Sequence, residues 1–432
     1  MKICTYGLWH LGSVTAACLA KAGFETVGVD DDTSTVRNLS QGISPLHEPG
    51  LEDLLKAQLA SGQLSFTTEA AAAVADADIL WVTFDTSVDD EDRADINFVK
   101  GRVESIFPFL KDGAIVLISS QLPVGTTTEL EARFCKNAGG RMVSFAYSPE
   151  NLRLGQAIDA FNKPARIVIG VRDERVRRAL TPVLQRFSEN LLWVRVESAE
   201  MLKHALNAFL ATQVTFINEV ASVCVQVGAD AVEVERGLRS DARVGSKAYV
   251  SPGAGFAGGT LAREVMFLKE IARAKGLVLP LLDGVLVSNR EHLRWPMQQL
   301  AERLIGKLTD TTVAVFGLAY KPVTDTLHRS QAVELCRWLS DRKVHIKAFD
   351  PFVRKLPADL AVKVFLTDSM DQALEGADAL VITTKSAEFA KLSVDTVVSR
   401  MRNQLVLDQN RSLCEAFVVD PRVRYLAVGK PL

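Results

Sequence analysis

Residues Tyr6–Ser13 read YGLWHLGS, and the fold turns on how this octet is read. It follows a short apolar run, KICTY (2–6), and opens a helix-forming stretch, GSVTAACLAKAG (12–23), that ends at Gly23. A glycine-punctuated turn between a strand and a helix is a βα turn, and the N–H groups of such a helix start face outward toward anions. Gly7 and Gly12 hold the outer positions of a G-x-G-x-x-G loop, with Trp9 in the middle and His10 and Leu11 completing it. A second apolar run, ETVGVD (25–30), ends on Asp30. That is where a carboxylate takes the ribose hydroxyls of a dinucleotide, roughly 20 residues past the loop. An acid there repels a ribose phosphate, so the expected cofactor is NAD and not NADP. Trp9 sets a condition. If its φ is negative, the indole can point away and the N–H groups still reach phosphate; a positive φ would strain it. The alternative is a βα turn that binds nothing. The coincidence of strand, outer glycines, helix and acid favours binding.

Outward from the loop, DILWVTF (78–84), GAIVLIS (113–119) and ARIVIGV (165–171) are short apolar runs between helical stretches. This is the pattern of a parallel sheet with crossover helices. From about Ser198 the pattern changes. Met201, Ala205, Phe209 and Thr212 follow helical spacing, and no Gly or Pro intervenes before Gly228. A second α/β unit begins near Thr311 with TVAVFGLAYKP (312–322), then HIKAFDP (345–351), ADALVITT (377–384) and QLVLDQ (404–409). The expected fold is α/β: two Rossmann-like doubly wound domains, 1–195 and 306–432, joined by a central helical domain, 196–305, with a long helix.

Composition narrows the function classes. Lys and Arg total 50 against 52 Asp and Glu, with no basic stripe, so neither nucleic acid nor an anionic membrane is an expected partner. Six cysteines (Cys4, Cys18, Cys135, Cys224, Cys336 and Cys414) are scattered without a C-x-x-C pair, which indicates neither a metal site nor a disulfide framework. The chain opens directly on a strand-like run, unlike a signal peptide, and no apolar stretch reads as long enough to span a bilayer. A cytoplasmic protein is expected.

Three places carry candidate chemistry. Lys203 and Asn207 are four apart on the long helix, so an ammonium and an amide share one face and can hold an oxyanion. The bland alternative is a solvated face. Glu150 follows Pro149 at a strand end, where α/β sites collect. The third is VSPGAGFAGGTLAREV (250–265), a glycine loop that meets a helix start at Thr260. A cysteine at such a start would be a low-pKa nucleophile. Threonine there reads first as an N-cap. Glu264, four residues on, is placed to approach its hydroxyl.

Six segments, in order along nearly the whole chain, together resemble the UDP-glucose/GDP-mannose dehydrogenase family. They are GISPLHEPGLEDLL (42–55), SSQLPVGTT (119–127), SPENLRLGQAIDAF (148–161), AEMLKHALNAFLATQVTFINE (199–219), DARVGSKAYVSPGAGFAGG (241–259) and GLAYKPVTDTLHRS (317–330). The resemblance implies an NAD-binding N-terminal domain, a C-terminal domain for the nucleotide of an NDP-sugar (a UDP-sugar first), and a homodimer built on the long helix. It implies two NAD-dependent oxidations of a C6 alcohol, through a cysteine thiohemiacetal, to a carboxylate. It assigns Thr86 and Gln121 to the cofactor, and Lys203, Asn207 and Glu150 to the chemistry. Arg243, Lys247, Tyr249, Gly255, Phe256 and Lys321 it assigns to the substrate.

The departures fall on the chemistry. Against the family's G-F-G-G-S-C-F-x-K-D, this chain has Thr260 at the cysteine, Arg263 at the lysine and Glu264 at the aspartate. Gln121 replaces a threonine, Leu154 a carboxylate, His328 an arginine, and Arg329 stands where an acid is usual. The expectation is a nucleotide-sugar dehydrogenase of altered chemistry, with a single oxidation to the carbonyl in view. A relative that binds a nucleotide sugar without turnover is the alternative. A hydroxy-acid oxidoreductase on the same plan has no use for GLAYKPVTDTLHRS.

Overall fold

The computed structural model describes residues 1–86, 95–150, 152–304, 309–322, 324–413 and 415–431. The chain forms two compact units, Met1–Ala205 and Leu206–Leu432. The division falls inside the long helix, Val196–Val227, so the helical segment after it and the second α/β part belong to one unit. The expected boundary at 305–306 touches residues 305–308, which lie outside the described residues.

The first unit carries eight strands: β1 (Lys2–Tyr6), β2 (Glu25–Val29), β3 (Leu64–Thr67), β4 (Ile79–Val82), β5 (Ile115–Ile118), β6 (Ser144–Tyr147), β7 (Ile167–Gly170) and β8 (Leu191–Val194). They lie in the order β3-β2-β1-β4-β5-β6-β7-β8. The order reverses between β1 and β4, so a crevice opens there at the carboxyl ends of the strands. Every residue of β4 and β5 is buried, as expected of parallel strands covered on both faces. One pairing departs from the parallel expectation: β6 meets β7 antiparallel, through the single pair Tyr147 and Gly170. Beyond that pair β7 and β8 run parallel to each other, extending the sheet at its edge.

The first helix, His10–Lys21, buries Leu11 through Ala20 without a break. Its small residues let it lie close to the sheet. A Cβ on Gly12 would stand 1.8 Å from the carbonyl oxygen of Gly7, so only glycine fits.

The long helix corrects one expectation. By length and composition it is apolar enough to cross a bilayer. Part of its apolar surface fills cores: Val196 and Ala199 pack in the first unit, and Ala208, Ala211, Ala221 and Cys224 in the second, while Phe209, Phe216, Val223 and Val227 are exposed.

The second unit holds β9 (Thr312–Phe316), β10 (His345–Phe349), β11 (Val364–Leu366), β12 (Ala379–Ile382), β13 (Leu405–Asp408) and β14 (Arg424–Leu426). Their order is β11-β10-β9-β12-β13-β14, all parallel.

Candidate active site

The glycine loop of the first unit is preorganised. Gly7 has φ +99°, and a Cβ there would come within 2.8 Å of Phe84. Thr83 Oγ1 donates to the Gly7 carbonyl at 2.8 Å. Trp9 occupies the cap position of the first helix with φ −73° and ψ −154°, extended backbone that any residue adopts. It is 50% exposed, so its indole fills no core space and the condition set by the sequence is met without strain. Leu11 is a core residue and offers only its N–H. Asp30 Oδ2 accepts the Leu8 N–H at 2.8 Å and Oδ1 accepts the Asp32 N–H at 3.0 Å. One backbone partner per oxygen leaves each with a further lone pair. These residues fit NAD: a cradle that a Cβ would fill, helix-start N–H groups without intrahelical acceptors, and a half-buried carboxylate.

The His10 side chain is engaged by a neighbouring acid. Its Nε2 lies 3.0 Å from Oε2 of Glu48, which is 3% exposed. The Glu48 carboxylate also accepts the N–H groups of Gly155 and Ala157, both at 2.8 Å. His10 therefore joins the nucleotide loop to the segment that follows Glu150.

The two remaining cofactor candidates meet each other: Thr86 Oγ1 donates to the Gln121 carbonyl at 2.7 Å. Their loop is fixed by the long helix. Glu200, fully buried, accepts the Gly125 N–H (2.6 Å), the Thr127 N–H (3.0 Å) and the Thr127 hydroxyl (2.7 Å). It thereby serves the amino end of the helix Thr126–Lys136. Burial raises its pKa, and these three donors oppose the rise. His204 Nε2 lies 3.2 Å from the Leu122 carbonyl.

Lys203 and Glu150 come together. Lys203 Nζ donates to the Glu150 carbonyl at 2.5 Å and lies 3.2 Å from its Oε1, while Oε2 accepts the Leu152 N–H at 2.8 Å. The lysine side chain is 11% exposed. Glu150, Ser148, Pro149 and Leu11 line a cavity of about 80 Å³.

In the second unit Asn207 is buried, and its Nδ2 has no hydrogen-bond partner among the described residues. An amide donor left so costs about 1–3 kcal/mol. The glycine loop is held by four side chains. Asn218 accepts the Gly253 N–H (3.0 Å), Asn410 accepts the Ala254 N–H (3.0 Å), and Asn289 accepts the Phe256 N–H while donating to its carbonyl (both 2.9 Å). His292 Nε2 lies 2.7 Å from the Gly253 carbonyl, and burial lowers its pKa. The Oδ1 of Asn289 would be 2.7 Å from a Cβ on Gly255, so a side chain there would have to displace the amide that holds the loop.

Two expectations at Thr260 are corrected. The helix Thr260–Ala274 takes Gly259 as its cap, and no side chain caps it. Thr260 is the first residue of the helix, and the left-handed turn before it is made at Gly258, φ +73°. Its hydroxyl is not hydrogen-bonded to Glu264: Thr260 is exposed, whereas Glu264 is fully buried, with Arg263 Nε 3.6 Å away. Cys4, Cys18 and Cys336 are buried and pushed up to about 12 by that burial.

Of the substrate candidates, Arg243, Lys247 and Tyr249 are exposed, and Arg243 pairs with Asp241 at 2.7 Å. Lys321 lies 5.2 Å from the Tyr320 ring centroid and lines a cavity of about 520 Å³ with Asp350, Lys385 and Arg411. Sequence reasoning missed Glu48, Glu200, Asn289, His292 and Asn410. Glu48 and Glu200 sit inside segments that carried the family resemblance, but nothing in the sequence names their partners.

Comparison with known proteins covers the chain. Models of the UDP-glucose/GDP-mannose dehydrogenase family match in three parts: the NAD binding domain at residues 1–188, the central domain at 197–291 and the UDP binding domain at 314–415. The UDP-glucose 6-dehydrogenase of Pseudomonas aeruginosa is 33% identical over the whole chain and 98% of its own length. That of Rhizobium meliloti is 32% identical over the whole of both. Among solved structures, a UDP-glucose dehydrogenase from Pyrobaculum islandicum superimposes with TM-score 0.87 at 31% identity, covering 99% of this chain and 98% of that one. UDP-D-ManNAc dehydrogenase from Pyrococcus horikoshii, at 23% identity with TM-score 0.87 and coverage of 100% and 99%, shares the fold.

Proposed function

We propose, from the premise that the chain belongs to the UDP-glucose/GDP-mannose dehydrogenase family, that this NAD-binding nucleotide-sugar dehydrogenase oxidises a CH–OH carbon of a UDP-sugar once and stops at the carbonyl. Bound NAD supplies the hydride acceptor. The protein holds the proton and the charge. The Lys203 ammonium, fixed by the carbonyl and carboxylate of Glu150, and the unpartnered Nδ2 of Asn207 are the donors for the oxyanion. Glu150 takes the alcohol proton through water. Arg243, Lys247, Tyr249, Gly255, Phe256 and Lys321 serve the UDP-sugar.

The observation that carries the single step is Thr260. An aliphatic hydroxyl needs a base beside it to attack a carbonyl. Glu264, the base its spacing offers, is buried beside Arg263 and makes no hydrogen bond to Thr260. Covalent capture of the aldehyde by Thr260 then has no base to start it. The test is NADH formed per UDP-glucose consumed, with the product mass read in the same tube. One NADH and the loss of one hydrogen pair are expected. Two NADH and an acid would overturn the single step.

The three-domain division, 1–195, 196–305 and 306–432, belongs to the same reading, as does a cytoplasmic homodimer. Phe209, Phe216, Val223 and Val227 support the dimer: they are exposed at near-heptad intervals along the long helix.

A further inference from the structure

The turn after β2 carries three successive acids, each with a different task. Asp30 serves the glycine loop and the ribose position. Asp32 caps the next helix, accepting the Ser34 N–H at 3.1 Å and the Thr35 N–H at 3.2 Å. Asp31 does neither; it forms an ion pair with Arg102 of the helix Ile96–Ser105.

Arg102 is fixed to the wall of the crevice. Its guanidinium carbon lies 5.9 Å from the Phe84 ring centroid and 5.7 Å from that of Phe98. The two rings stand edge to face at 5.7 Å, and Phe84 packs in turn on Tyr6 of β1 at 4.7 Å. Arg102 Nε is buried without a hydrogen-bond partner among the described residues, yet the side chain stays 27% exposed. A flat cation therefore stands at the adenosine end of the crevice, beside the acid that takes the ribose.

We propose that Arg102 is the adenine platform of the NAD site and that Asp31 sets cofactor choice by occupying its guanidinium. A guanidinium stacked on aromatic rings presents a planar face that suits a purine. The same fork is the natural ligand of a ribose 2′-phosphate. With Asp31 in the fork, such a phosphate must displace a carboxylate while facing Asp30. Preference for NAD is thus divided between an acid that binds ribose and a second acid that neutralises the cation a phosphate would use. This rests on NAD binding by the first unit, so the test measures that binding too.

The experiment is calorimetric binding of 5′-ADP and 2′,5′-ADP to the full chain and its Asp31→Asn, Arg102→Ala and double variants. The wild type should prefer 5′-ADP. D31N should shift the ratio toward 2′,5′-ADP by about tenfold, the size of one charge-assisted contact. R102A should weaken both ligands, and the double variant should lose the D31N gain. An unchanged ratio in D31N, or a gain that survives R102A, overturns the proposal while 5′-ADP binding stands. Failure of the wild type to bind 5′-ADP overturns this proposal together with the reading of the loop beneath it. Arg102→Lys keeps the charge and lacks the planar face, so it should weaken 5′-ADP as R102A does; undiminished 5′-ADP affinity in R102K overturns the stacking role.

Discussion

Gly7 and Gly317 stand at the same point of two similar sheets. Both have positive φ, +99° and +84°. Each donates its N–H to the last residue of the neighbouring strand at 2.9 Å, Val29 in one unit and Phe349 in the other. Thr83 and Thr383 donate to their respective carbonyls. Ser13 bonds the Leu8 carbonyl at 2.9 Å, and Ser330 bonds that of Leu318 at 2.6 Å. The units part after the glycine. In the first, the helix starts at His10; in the second it starts at Gln331, with residues 318–330 in between. The acids part too. Asp350 is 4% exposed: its Oδ2 accepts from Leu318 and Ala319, and its Oδ1 from Phe352 and Val353. Four N–H donors leave it nothing for a ribose. The acid at this turn keeps free acceptor capacity in one unit and is a structural strut in the other. Lys321 and Lys385 line the second crevice, where Arg411 is paired with Asp230 at 2.9 Å.

The largest expected effect comes from breaking one loop and sparing the other. Gly12→Ala drives a Cβ into the backbone oxygen of Gly7, which cannot move without opening the loop. NAD affinity should fall at least ~100-fold, read by calorimetry, and about 3 kcal/mol is sufficient for that. Gly317→Ala places a Cβ 2.1 Å from the Thr384 hydroxyl and strains a positive φ, but in the other unit. It should leave NAD affinity within about twofold. Equal losses would show that the two crevices are not independent.

The acids give the next effect. Asp350→Asn sets an amide against N–H donors in a buried site. It should destabilise the second unit by about 2–4 kcal/mol, seen as faster hydrogen exchange in β9 and β10. Asp30→Asn should leave melting nearly unchanged and instead weaken NAD by about tenfold. If D30N proved the more destabilising, the distinction between strut and ligand would fail.

How much of this could be read from the sequence depends on whether the cause is local. β1, Gly7, Gly12 and Asp30 were legible because strand, turn and acid follow one another within a few turns of chain. β3 (LSFT), β11 (VFL) and β14 (RYL) were not, being too short to show alternation and defined by the strands they pair with. The Lys203–Glu150 pair was legible only as two separate candidates, 53 residues apart. Thr260 and Glu264 show the limit of spacing. Four residues along a helix brings two side chains near one face, yet one is exposed and the other is sunk in the core, and only packing decides that. Likewise the hydrogen bonds of Asn289 and Asn410 to the glycine loop depend on tertiary contact, and no motif announces them.

The smallest effect is a difference in pH dependence between the sheets. At the end of β13 stands Asp408, paired across the sheet with Ile382; the matching place at the end of β5 is Ile118, paired with Val82. Both are fully buried. Burial pushes the Asp408 carboxyl above its usual range, against hydrogen bonds from the Leu413 N–H (2.8 Å) and the Tyr425 hydroxyl (3.1 Å). A folded pKa above the unfolded one means that the native state holds the proton more tightly. The stability this contributes is full below about pH 3.8 and is lost as pH rises through the raised folded value. Each unit of elevation is worth about 1.4 kcal/mol. Hydrogen exchange in β13 and β14 should therefore quicken as pH climbs through that window, after correction for the intrinsic rate, while β5 shows no such trend. Asp408→Asn should flatten the trend in β13. If it persists in that variant, or if β5 follows the same curve, the pH response belongs to the molecule as a whole and not to the acid that only the second sheet carries.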